Sequence, residues 1–121
     1  MLSDEVRARA ARQVTKFTEM YTHAKREVGY NVQALSLPTF DSQEDFDGCR
    51  PEEKGVDFRA HNEFIAEVLK GLLANGVPAE PVVFRYSEFA KFLNGREITN
   101  DARAAYGGYL LTEAARKKKK S

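Results

Sequence analysis

The apolar residues of the first thirty positions recur at a period that only a helix satisfies. Val6, Ala10, Val14, Phe17, Tyr21, Ala24 and Val28 follow one another at steps of four or three, so they share one face of a 3.6-residue repeat. A helix of about 25 residues is about 37 Å long, roughly the span of a small domain. Such a helix offers one apolar stripe to a core. Ser3 suits the N-cap, Asp4 and Glu5 complement the positive end of the helix dipole, and Gly29 is placed to end the helix. Arg7, Arg9, Arg12, Lys16 and Lys25 fall off the stripe and give a modestly basic outer face, diluted by Glu19 and Glu27.

A second helix is predicted from Asp57, its cap, through Phe58, His61, Phe64, Ile65, Val68, Leu69, Leu72 and Leu73 to the Asn75-Gly76 stop. Its wide apolar face makes it the central core helix. Residues 30–37 suggest a short strand stopped by Pro38, and Pro81 introduces another over residues 82–86. Ser87 is expected to cap a third helix ending at Leu93, before an Asn94-Gly95 turn. Thr99 or Asn100 then caps a fourth, with Ala102, Ala105, Tyr106, Tyr109 and Leu110 inward. Gly107-Gly108 costs that helix roughly 2 kcal/mol against two alanines, so either another backbone packs closely there or the helix breaks. The expected fold is mainly α with minor β. Four helices and one or two short strands form a single domain over residues 1–115, with a long loop at 39–56, a C-terminal helix-turn-helix-like pair and a polybasic tail at 116–121.

Hydrophobic content of 42% and charged content of 31% fit a globular protein rather than a disordered one. No window approaches the roughly 18 apolar residues of a membrane span. A charged N-terminus without a visible signal peptide and a single cysteine, Cys49, suit a reducing cytoplasm. The net charge of +1 conceals a strong asymmetry: residues 31–60 carry three cations against seven acids, and residues 91–121 carry eight against three. Without Arg116, Lys117, Lys118, Lys119 and Lys120 the remainder stands at −4, so any polyanion contact belongs to the C-terminal region.

Within that region a helix-turn-helix reader would present the start of its second helix to base edges. Arg103 could then donate bidentately to guanine and Asn100 to adenine, with Arg96 in the turn, although Glu97 and Asp101 oppose phosphate beside them. The Arg116–Lys120 run supplies salt-dependent affinity without sequence preference. Tyr106 and Tyr109 could stack on bases or simply pack the core. The acidic set Asp41, Glu44, Asp45, Asp47, Glu52 and Glu53 forms a second candidate surface, for a basic protein partner.

Other chemistries lack their residues. Calcium-loop spacing fails in both registers, because Gly48 as sixth position puts Gln43 first and Lys54 twelfth, and Asp45 as first puts Arg50 sixth. One cysteine and two separated histidines, His23 and His61, cannot complete a zinc site. No glycine-rich phosphate loop is present, and no nucleophile signature surrounds Cys49. The expectation is therefore a non-enzymatic binding protein, without metal or cofactor, that contacts nucleic acid or a nucleoprotein complex. The alternative is a protein-binding modulator or inhibitor, of the accessory type found in phages and plasmids, that acts through residues 41–57.

Overall fold

The computed structural model describes residues 3–28 and 34–119. Five α-helices and a two-stranded parallel sheet follow one another as α1 (Asp4–Val28), β1 (Leu35–Thr39), α2 (Gln43–Cys49), a 3₁₀ turn (Pro51–Glu53), α3 (Phe58–Ala74), β2 (Ala79–Val83), α4 (Tyr86–Leu93) and α5 (Asn100–Lys119). The protein is mainly α with minor β. Gly29 and the first residues of the expected 30–37 strand lie outside the described residues.

The two strands pair with each other, from Leu35 opposite Ala79 to Thr39 opposite Val83. Parallel neighbours need a crossover, which α2 and α3 provide. Pro38 and Pro81, expected at strand boundaries, instead lie inside β1 and β2. The ladder explains why they are tolerated. Leu35 donates its N–H to Pro78 O at 2.9 Å, and Phe84 donates to Thr39 O at 2.9 Å. Backbone donors alternate sides along a strand, so residues 38 and 81, each an odd step from these anchors, are positions whose donor would face away from the partner. Proline costs the ladder nothing there.

Two apolar clusters flank the sheet. Leu37 and Ala79 join Ala10 and Val14 of α1 with Ile65, Val68 and Leu72 of α3. Gly71 makes this helix pair close, since a Cβ there would stand 2.7 Å from a Val14 methyl. Val82 and Phe84 join Phe40, Phe46, Cys49, Phe89, Leu93 and Tyr106. The start of α3 secures the end of β1. Asn62 Oδ1 accepts from Phe40 N at 3.0 Å, its Nδ2 donates to Phe40 O at 2.7 Å, and His61 Nε2–H donates to Pro38 O at 3.0 Å.

Residues 39–56 are not a long loop. Ser42 caps α2, its Oγ accepting from Asp45 N at 3.1 Å. Gln43 closes the segment by donating to Asp47 Oδ1 and to Val56 O and accepting from Phe58 N. Asp57 caps α3 as expected, accepting from Arg59 N at 2.9 Å. Ser87 is not the cap of α4, which begins one residue earlier, at Tyr86. The donor at its start, Tyr86 N, is satisfied by Asp45 Oδ1 at 2.9 Å, a carboxylate from another helix placed at the positive dipole end.

Candidate nucleic-acid interface

The turn between α4 and α5 has the backbone its residues imply. Asn94 at φ 50° and Gly95 at φ 86° take left-handed conformations that most side chains avoid. Arg96 folds back over this turn. Its Nε donates to Leu93 O and its Nη2 to Phe92 O, both at 2.8 Å, satisfying carbonyls that the end of α4 leaves open. The guanidinium carbon lies 5.4 Å from the centre of the Phe92 ring, and the residue as a whole is exposed. Thr99 caps α5, accepting from Ala102 N at 3.0 Å.

Arg103 does not face outward. Only 5% exposed, it donates through Nη1 to Cys49 O at 2.9 Å and through Nη2 to Asn100 Oδ1 and Glu52 Oε2, each at 2.6 Å. The hydrogen bond from this guanidinium is the main influence holding the Glu52 carboxyl below its ordinary range. Arg103 and Asn100 therefore act together as a lock between α5 and the α2–3₁₀ segment. The geometry that would turn both toward base edges is absent.

Further along, α5 runs unbroken through Gly107-Gly108. Close packing is the reason for the first glycine, since a Cβ on Gly107 would stand 2.1 Å from Ser36 Oγ of β1. Tyr106 is buried as expected, whereas Ala105 is exposed and Tyr109 is 48% exposed. An aromatic series leads outward from the core: Phe84 to Tyr106 at 5.0 Å, Tyr106 to Phe92 at 5.1 Å, and Phe92 to Tyr109 at 5.8 Å between ring centres. From Ala114 to Lys117 four consecutive residues are exposed. That is more than a full turn, so the helix extends past the body. Arg116 pairs with Glu113 at 3.3 Å, and Lys117 has no ion pair among the described residues. Lys118 and Lys119 continue the helical backbone, but their side chains, and Lys120 entirely, lie outside the described residues.

The acidic residues are brought into one region, yet most are committed inside the chain. Asp41 pairs with Arg85 at 3.3 Å, Glu52 with Arg103, and Glu53 with Arg50. Asp45 accepts from Ser42 Oγ through Oδ2 and from Tyr86 N through Oδ1, and Asp47 accepts from Gln43 and from Gly55 N. Glu44 alone of the six has no side-chain hydrogen bond or ion pair among the described residues. No three His, Cys, Asp or Glu side chains converge among the described residues.

Cys49 is fully buried, and burial together with the Asp45 charge pushes its thiol up to about 12. It is not a poised nucleophile. Burial holds His61 below its ordinary value. The ring sits 5.3 Å from both Phe40 and Phe46, and no hydrogen bond joins it to Cys49.

Two features of this region have sequence signals that apolar periodicity does not reveal. Ser42-Gln43-Glu44-Asp45 before Phe46 is a capping-box pattern that announces α2. Arg96 as the closing residue of α4 follows from a cation placed just beyond a helix C-terminus. No family model, curated protein or solved structure matches the chain.

Proposed function

We propose that this protein binds nucleic acid through the exposed end of α5, from Ala114 onward, and the basic run Arg116–Lys120 of the sequence. The carrying observation is the division of labour among its cations. Arg103, Arg50 and Arg85 are matched by acids from within the fold; at the far end of α5 Arg116 has only its neighbour Glu113, and Lys117, without an ion pair among the described residues, stands on a helical turn exposed on all sides. Cations there are also stabilised by the negative end of the helix dipole, which holds α5 formed while it presents them. Arg96 and Tyr109 extend the surface toward the turn. With Arg103 and Asn100 engaged internally, recognition is by backbone charge rather than by base edges, in the manner of a weakly selective binder.

Salt titration tests this reading. Binding of a labelled polynucleotide should weaken linearly on a log–log plot against salt. Replacing Arg116 and Lys117–Lys120 by glutamine should flatten the slope by about 0.7–0.9 for each phosphate no longer neutralised. Absence of binding at low salt, or a slope indifferent to those five substitutions, rules the reading out.

A further inference from the structure

Charge alone does not distinguish one polyanion from another, but the aromatic series beside the charge can. We propose that its exposed end, Tyr109 with Phe92 and Arg96, is a stacking platform for unpaired bases, so that the preferred partner is a single-stranded polynucleotide rather than a duplex. The inference rests on the nucleic-acid reading above and narrows it to one class of ligand.

Three observations support the platform. The first is exposure. Large aromatics at core spacing normally end inside, as Phe84, Phe89 and Tyr106 do here, yet Tyr109 leaves about half its surface to solvent while still packing on Phe92 and Tyr106 at 5.8 and 6.1 Å. The second is rigidity. Tyr109 is backed by rings continuous with the buried core, and Arg96 is fixed by two carbonyls and one ring face. A base stacking there orders little that is not already ordered. Arg96 keeps its Nη1 donors beyond those bonds, and its planar group itself stacks on bases.

The third observation is register. Tyr109, Glu113 and Arg116 are spaced at four and three residues, so they lie on one face of α5. Tyr109 and Arg116 are separated by about 10 Å along the helix axis. Glu113 lies between them and pairs with Arg116, which leaves Lys117 as the cation of this end without an ion pair among the described residues. Along α5 the charge runs from Asp101 at the turn end to Arg116 and Lys117 at the far end, so bases are directed to the aromatic end and phosphates to the cationic end. A duplex keeps its base faces stacked internally and offers nothing to such a platform. A single strand offers both parts.

The test compares labelled oligonucleotides by fluorescence anisotropy: single-stranded DNA, single-stranded RNA of matching sequence, and the DNA duplex of equal length. The full chain is expected to favour one or both single strands over the duplex. Tyr109→Ser should weaken single-strand binding by about 5- to 100-fold and leave duplex binding within about two-fold, while Tyr109→Phe keeps the native affinity. A measurement on the unaltered protein guards against a folding defect in the serine variant. With five tyrosines and no tryptophan, tyrosine emission is unmasked and should be quenched by the single strand and not by the duplex. Equal affinity for both forms, or single-strand binding that ignores Tyr109→Ser, overturns the platform and leaves the electrostatic reading intact. Binding of neither form overturns both.

Discussion

Arg103 carries more of this molecule than its place in the sequence suggests. A guanidinium removed from water needs its charge and donors answered, and here one carboxylate, one amide side chain and one backbone carbonyl do so. Truncation leaves the Cys49 carbonyl without its donor, Glu52 without its cation, and a void among α2, the 3₁₀ turn and α5. Arg103→Ala should lower unfolding free energy by about 1–3 kcal/mol in urea titration, chiefly through the Cys49 carbonyl left unsatisfied, since Glu52 is half exposed. Glu52→Gln, at a half-exposed position, should cost less. The pH dependence has a definite sign. Glu52 has a lowered folded-state pKa, so its contribution is complete above the ordinary value of 4.5 and is lost as pH falls through the folded value. The stability gap between native protein and Glu52→Gln should therefore close on acidification below that point. A gap that persisted unchanged in strong acid would place the stabilisation elsewhere.

Elements whose signals are local were legible in the chain. The stripe on α1, the Asp57 cap and Asn75-Gly76 stop of α3, and the Asn94-Gly95 turn each depend on residues within a few positions of one another. Less legible were features decided by partners far along the chain. Arg103 turns inward because Glu52, 51 positions earlier, waits there, and no helical period encodes that. The strands pair in parallel only after α3 returns the chain. Helix α2 is faint in the sequence because its apolar content is slight, Phe46 and Cys49, beneath a surface of acids. The glycine pair in α5 illustrates the same division, since the two residues are equal in sequence and unequal in place. A Cβ on Gly108 would meet nothing within 4 Å, whereas one on Gly107 would run into Ser36. Gly108→Ala should stabilise by up to about 1 kcal/mol. Gly107→Ala should destabilise by about 1–3 kcal/mol despite the same gain in helix propensity. Thermal melts of the two variants shifting in the same direction would contradict this packing.

On the scale of the whole molecule, the fold separates its charges by use. Acids near the middle of the chain brace helix starts and a buried cation, and the remaining cations of α5 stand at its far end. No described helix is long and apolar enough to cross a membrane. Among the described residues the sheet between the two apolar clusters has two strands, so each strand keeps one flank without a β neighbour there. Open flanks invite recruitment of a further chain. Pro81 occupies the middle rung of the β2 flank and deletes the donor that an incoming strand would need, while on the β1 flank Pro38 has no donor to offer and its carbonyl is already taken by His61. Pro38→Val with Pro81→Val should therefore raise light scattering and thioflavin response on prolonged incubation, with little change in secondary structure beforehand. Two imino acids spaced across the ladder thus give this small sheet a means of remaining solitary.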